Sequence, residues 1–177
     1  MDKFLASLSL SPHHHRHLMH VDQNGYGDRE KFFREFNALT QHSLDQKTLV
    51  RSLLQFAQFD PELLALLHQL KERFSLAVLT NGTSSSQRAK IKALGLDKIF
   101  SEHHLFISAE MGIAKPNRQA FDWVADALGV LACDCLYWGD QPEIDVVAAQ
   151  NAGWQAHLVD GPAEVTSWLR AFRENLL

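Results

Sequence analysis

The chain has 177 residues, a formal charge of −4, and 46% hydrophobic and 21% charged residues, an ordinary composition for a globular protein with its own core. Such mild acidity gives no basic face for nucleic acid, and no run of about eighteen apolar residues is present to span a membrane. The two cysteines, Cys133 and Cys135, exclude a disulfide framework, and the opening Met1-Asp2-Lys3-Phe4-Leu5 lacks a signal-peptide pattern, so the expectation is a cytoplasmic protein with reduced thiols.

From Asp2 to about Arg73 the pattern is helical with short breaks. Ser11-Pro12 caps and starts one helix, Asn24-Gly25-Tyr26-Gly27 is a turn, and Asp28 caps a helix that carries Phe32, Phe33 and Phe36. A helix follows over about 45–58, with Leu49, Leu53 and Phe56 inward. Asp60-Pro61-Glu62 starts another, striped by Leu63, Leu64, Leu66, Leu67 and Leu70. At Phe74 the rhythm changes. Ser75-Leu76-Ala77-Val78-Leu79-Thr80 is a short apolar run closed by Asn81-Gly82, the signature of a buried strand entering a turn. Further strands are expected at 105–107, 134–138 and 155–159. Helices over 84–94, 118–128, 143–152 and 162–176 separate and follow them, with Gly95, Gly129 and Gly153 as stops. Alternating strands and helices predict an α/β fold, a Rossmann-like parallel sheet flanked by helices. It is preceded by an N-terminal helical lid (cap) region over 1–70, with the core over 71–177. Trp123, Trp154 and Trp168 are expected to anchor helices or strands on the sheet, and alternation along a strand would turn Cys133 and Cys135 to one face.

The stretch Leu136-Tyr137-Trp138-Gly139-Asp140-Gln141-Pro142-Glu143-Ile144-Asp145 reads as a buried strand running into an acidic turn and a helix. In parallel α/β sheets the carboxyl ends of strands bind ligands, and carboxylates converging there suit a hard cation such as Mg2+. Taken singly, each feature has a plainer reading. Thr80-Asn81-Gly82 could be an ordinary turn, Lys115 a loop lysine, and Asp140, Glu143 and Asp145 caps and first-turn acids of a helix. Together and in order, Leu79-Thr80-Asn81-Gly82, Gly112-Ile113-Ala114-Lys115-Pro116 and Gly139-Asp140 through Asp145 resemble the second, third and fourth motifs of the haloacid dehalogenase (HAD) superfamily over roughly residues 70–160.

That resemblance implies a Mg2+-dependent phosphatase of small phosphorylated metabolites. Thr80, with the backbone of Asn81 and Gly82, would hold the phosphoryl group, Lys115 would offset its charge, and Asp140 and Asp145 would hold Mg2+. A donor, a cation and a metal are what phosphoryl transfer asks of a protein. The family's first motif, an apolar strand ending in Asp-x-Asp-x-Thr that supplies the nucleophile, has no match here. Its nearest counterpart, Val21-Asp22-Gln23-Asn24-Gly25-Tyr26, has Asn24 and Tyr26 where an acid and a hydroxyl are required, and Tyr26 and Phe33 spoil an EF-hand reading of the same run. Thr80 and Lys115 cannot replace a carboxylate nucleophile. The central strand that carries it is therefore expected to be missing, leaving two apolar edges unpaired. The chain then reads as inactive or truncated as it stands, or alternatively as a non-catalytic phosphate- or metal-binding or interaction module of the same descent. His13 and His17 lie one helical turn apart, but no second pair of Zn2+ ligands is near in sequence, so the histidine cluster reads as solvated surface.

Overall fold

A computed structural model describes residues 1–23, 27–56 and 60–174. They form two compact units, Met1–Gln58 and Phe59–Leu177. Among the described residues the first unit holds four α-helices, α1 (Asp2–Ala6), α2 (Pro12–Asp22), α3 (Arg29–Thr40) and α4 (Gln46–Leu54). Three begin at side-chain caps: Ser11 Oγ accepts from the His14 amide, and Asp28 and Asp45 accept from the Lys31 and Thr48 amides, each offsetting an orphan donor of the first turn. Their apolar faces meet in one cluster of Phe4, Leu5, Leu18, Val21, Phe32, Phe36, Leu44 and Leu49. The turn expected at 24–27 falls mostly outside the described residues, as do the last residues of the helix expected to reach position 58.

The second unit opens with α5 (Pro61–Leu70), whose cap Asp60 accepts from the Glu62 and Leu63 amides. Strand β1 (Val78–Thr80), helix α6 (Ser84–Ala93), strand β2 (Leu105–Ile107), a single helical turn α7 (Ser108–Met111) and helix α8 (Arg118–Leu128) follow. Then come β3 (Leu136–Gly139), a π-helical turn over Pro142–Val147 that passes into α9 (Ala148–Asn151), β4 (Gln155–Leu158) and α10 (Pro162–Glu174). The strands pair in parallel, β1 with β2 and β3 with β4, as the alternation of strands and helices requires. They form two separate two-stranded ladders rather than one sheet, because among the described residues no strand pairs the second edge of either β1 or β3. Phe121 of α8 packs edge-to-face on Tyr137 and Trp154, with centroids 5.6 and 5.5 Å apart, within a core that also holds Leu79, Phe106, Val124 and Ala149.

Helix α5 packs on α10 inside this unit, since Thr166 Oγ1 donates to Asp60 Oδ2 at 2.8 Å and Arg170 contacts Glu62. The helix expected over 143–152 starts instead as the π-helical turn, where both the Asp145 and Val146 amides reach the Gln141 carbonyl. Two packing expectations, for Trp123 and for the cysteine pair, are corrected. Trp154 is buried and Trp168, though 42% exposed, stacks on His157 of β4 with ring centroids 4.4 Å apart, but Trp123 is 48% exposed, outside the buried face of α8. Cys133 lies exposed in a 3-10 turn while Cys135 is buried, so strand alternation never governs the pair. Among the described residues no helix is long and apolar enough to cross a membrane.

Candidate functional site

Four loops meet where β1 and β3 end. The chain leaves β1 through Asn81 and Gly82, and Asn81 clasps the loop before α8 with both ends of its amide. Its Nδ2 donates to the Lys115 carbonyl at 2.8 Å, and its Oδ1 accepts from the Lys115 amide at 3.0 Å. The Asn81 carbonyl accepts from Gln87 Nε2 at 2.9 Å, and the Gly82 amide donates to Ser108 Oγ at 3.0 Å. Gly82 has φ +140°, a backbone conformation that favours glycine. One shell further out, Arg88 grips Glu110 with Nε and Nη2 at 2.8 and 3.0 Å, a bidentate pair that ties α6 to α7. The Arg88 guanidinium, and then the Ser84 hydroxyl, hold the Glu110 carboxyl below its ordinary range.

Held in this way, Lys115 sends its side chain inward to an ion pair with Asp145. Lys115 Nζ lies 2.5 Å from Asp145 Oδ1, with the two side chains 6% and 2% exposed. Nζ also donates to the Tyr137 hydroxyl at 2.8 Å, and that hydroxyl donates to the Leu79 carbonyl at 3.2 Å. The other carboxylate oxygen, Asp145 Oδ2, accepts from the Asp140 and Gln141 amides at 3.1 Å each. A buried charge is tolerated only when paired and fully hydrogen-bonded, and here both Asp145 oxygens have partners. Gly139 makes the approach possible, since a Cβ at that position would sit 2.3 Å from the Asp145 Cβ.

The residues singled out in the sequence therefore divide. Asn81, Gly82, Lys115 and Asp145 converge at the ends of β1 and β3, and half-buried Thr80 is the last residue of β1. Asp140 joins through its backbone amide, while its side chain is exposed. Asp22 has no part in this unit. Its carboxylate is 1% exposed and bound by Arg29 Nη1 at 2.7 Å, so it is neutralised rather than poised for attack. Tyr137, Gln87 and Ser108 were not expected. Only Tyr137 left a signal, a phenol in an otherwise apolar strand that needs a partner for its hydroxyl.

Among the described residues no group of three His, Cys, Asp or Glu side chains is clustered as metal ligands. The set does not fit a cage built wholly of protein. It does fit a Mg2+ held by one or two carboxylates that keeps several waters and substrate oxygens, with the exposed Asp140 carboxylate as its outermost anchor. Charge at the site points the same way. The Lys115 and Asp145 charges cancel and Asp140 adds a negative one, so a phosphoryl dianion there would need a further cation.

Residues 16–153 match the profile of the haloacid dehalogenase-like hydrolases. The chain belongs to that family. It is 40% identical over 101 residues to phosphoserine phosphatase of Thermus thermophilus, a match covering 56% of this chain and 40% of that protein. It is 36% identical over 94 residues to glyceraldehyde 3-phosphate phosphatase of Methanopyrus kandleri, covering 52% and 40%. The chain thus spans about 40% of the length of these curated relatives. Among solved structures, the HAD-hydrolase YfnB of Bacillus subtilis, bound to magnesium, superposes with a TM-score of 0.66 at 22% identity, covering 92% of this chain and 74% of that one. That likeness is one of fold.

Proposed function

We propose that the chain carries the phosphate- and metal-binding half of a Mg2+-dependent phosphatase acting on small phosphorylated metabolites. What supports the reading above all is the buried Lys115–Asp145–Tyr137 cluster beneath the ends of β1 and β3, with the Asn81-Gly82 turn beside it. In this reading the Thr80 hydroxyl and the backbone of Asn81 and Gly82 bind phosphoryl oxygens. Lys115 has three ammonium donors; Asp145 and Tyr137 accept two, and the third is directed to the phosphoryl group. Asp140 and Asp145 hold the ion, Asp145 by exchanging part of its pairing with Lys115. A bound Mg2+ supplies the positive charge that the neutralised pair lacks.

The carboxylate nucleophile comes from outside residues 1–177, so the chain by itself turns over little substrate. The N-terminal helical region is taken as the lid that sets substrate choice, and the setting as cytoplasmic. The test is hydrolysis of p-nitrophenyl phosphate with Mg2+. Little or no activity is expected for residues 1–177, whereas robust activity abolished by Asp140→Asn but not by Asp22→Asn would place a nucleophile within this chain. The non-catalytic alternative shares the pocket but not the reaction. It gains support if Mg2+ with inorganic phosphate stabilises the protein and no longer form of it hydrolyses phosphate esters.

A further inference from the structure

Helix α8 has two faces of opposite character. Ala120, Phe121, Val124 and Ala125 are buried, whereas Gln119, Trp123, Asp126 and Ala127 are exposed and Asp122 is half-buried. The second set recurs at i, i+3, i+4, i+7 and i+8, so it lies along one face of the helix, and with Ile113 it lines a shallow depression. An indole left in water on a charged helix face is the kind of side chain that interfaces enrich, together with arginine, over the rest of a protein surface. Arg118 supplies the arginine. Its Nε meets Asp122 at 3.2 Å in an i,i+4 pair, the two side chains being 67% and 41% exposed, which leaves further guanidinium N–H donors for a second carboxylate. The face thus carries a cation at its N-terminal end, an aromatic ring at its middle and Asp126 towards its C-terminal end.

We propose that this face of α8 is a self-association surface whose occupant is a second copy of the chain, docked antiparallel about a two-fold axis at Trp123. A two-fold interface sets residue i against j and j against i. In that register Gln119 faces Ala127 of the second copy and the two indoles meet at the axis, where the small Ala127 side chains leave room for them. Arg118 comes level with position 128 of the second copy, two residues or about 3 Å along the axis from its Asp126, within the reach of an arginine side chain. Each guanidinium then bridges its own Asp122 and the Asp126 of the second copy, and the contact is made twice. A parallel docking would set arginine against arginine and aspartate against aspartate, which like-charge repulsion opposes. A basic segment of another protein would match the aspartates but leave Arg118 opposed, whereas a second copy satisfies both signs of charge. One helix face lies at the small end of interface sizes, below about 1,200 Å2 of total buried surface, so the dimer is weak, with Kd on the order of 50 μM. The surface uses none of the groups assigned to phosphate or metal and is independent of that reading.

The test is sedimentation equilibrium of residues 1–177 from about 5 to about 500 μM, which is expected to fit a monomer–dimer equilibrium that weakens as salt rises from about 0.05 to about 0.5 M. Arg118→Asp and Asp126→Arg should each raise Kd at least tenfold, since each sets like charges against one another at both ends of the interface. The double variant Arg118→Asp, Asp126→Arg exchanges the charges and should return Kd to within about threefold of the original. Trp123→Ala should also raise Kd at least tenfold, and Ala127→Glu, which fills the small position, should do the same should the tryptophan variant fail to fold. In the original chain the 15N–H indole signal of Trp123 should shift with protein concentration while that of buried Trp154 stays in place. No dimer at the highest concentration overturns the proposal. So does a dimer that these substitutions leave unchanged, since it forms elsewhere. Single variants that weaken the dimer without recovery in the double variant overturn the antiparallel register. A chain that stays monomeric while a hexa-arginine peptide shifts the Trp123 signal assigns the face to a basic partner and overturns the second copy.

Discussion

The ends of β1 and β3 are solved in opposite ways. At β1 a side chain holds backbone: the Asn81 amide clasps Lys115 N and O and so fixes the neighbouring loop. At β3 backbone holds a side chain, because the Asp140 and Gln141 amides fix the Asp145 carboxylate from one side while Lys115 neutralises it from the other. The difference teaches where charge sits. The β1 end is built from neutral groups, whereas the β3 end is built around a buried charge that depends on a single lysine delivered by the β1 clasp.

The sharpest way to break this asymmetry is to remove one charge. Lys115→Met leaves Asp145 buried without its cation and is expected to cost about 3–5 kcal/mol in urea unfolding; the Lys115→Met, Asp145→Leu double variant should recover much of that loss, and its failure to do so would mean that the carboxylate's amide contacts outweigh the pair. Gly139→Ala, which forces a Cβ into the Asp145 side chain, is expected to cost about 1–3 kcal/mol and to perturb the Asp145 contacts without touching any charge. Asn81→Ala removes the clasp at the neutral end, with an expected loss of about 1–2 kcal/mol. Asp140→Asn, at an exposed side chain, should change stability by less than about 0.5 kcal/mol yet abolish stabilisation by Mg2+ with phosphate in a thermal-shift measurement.

The smallest effect concerns acid. The Asp60 carboxyl lies below its ordinary value of 3.8, chiefly through the Leu63 amide and then the Thr166 hydroxyl, and Glu110 lies below its ordinary value of 4.5 through Arg88. A carboxyl depressed in the folded state binds its proton more readily when unfolded, so its contribution is present above the ordinary value and is lost as pH falls through the folded one. Stability should therefore decline below about pH 4.5, and Asp60→Asn should flatten the lower part of that decline. Thiol labelling gives a parallel control within one segment: exposed Cys133 should react readily, and Cys135, whose thiol burial pushes up, should react slowly.

Much of the fold was legible because its signals are local. Ser11, Asp28 and Asp60 cap the helices they precede, and the run from Leu76 to Gly82 is a strand entering a turn, because capping and turn chemistry act within a few residues. The motif order also placed Asn81, Lys115 and Asp145 at one end of the unit. What sequence spacing could not reveal was their partners. Nothing near Asp145 in the chain indicates that Lys115, thirty residues earlier, would take one of its oxygens, or that Tyr137 would bridge to Leu79. Trp123 failed as a core anchor for the same reason, since helical periodicity sets an apolar face but not the width of the sheet beneath it.

By itself, then, the sequence determined the helix starts, the parallel α/β alternation and the family, since each rests on short-range stereochemistry or on ordered motifs. Only the tertiary structure decided that the lysine and one aspartate are a neutral buried pair and that the other aspartate faces solvent. Those outcomes depend on desolvation, which is settled when distant segments exclude water together.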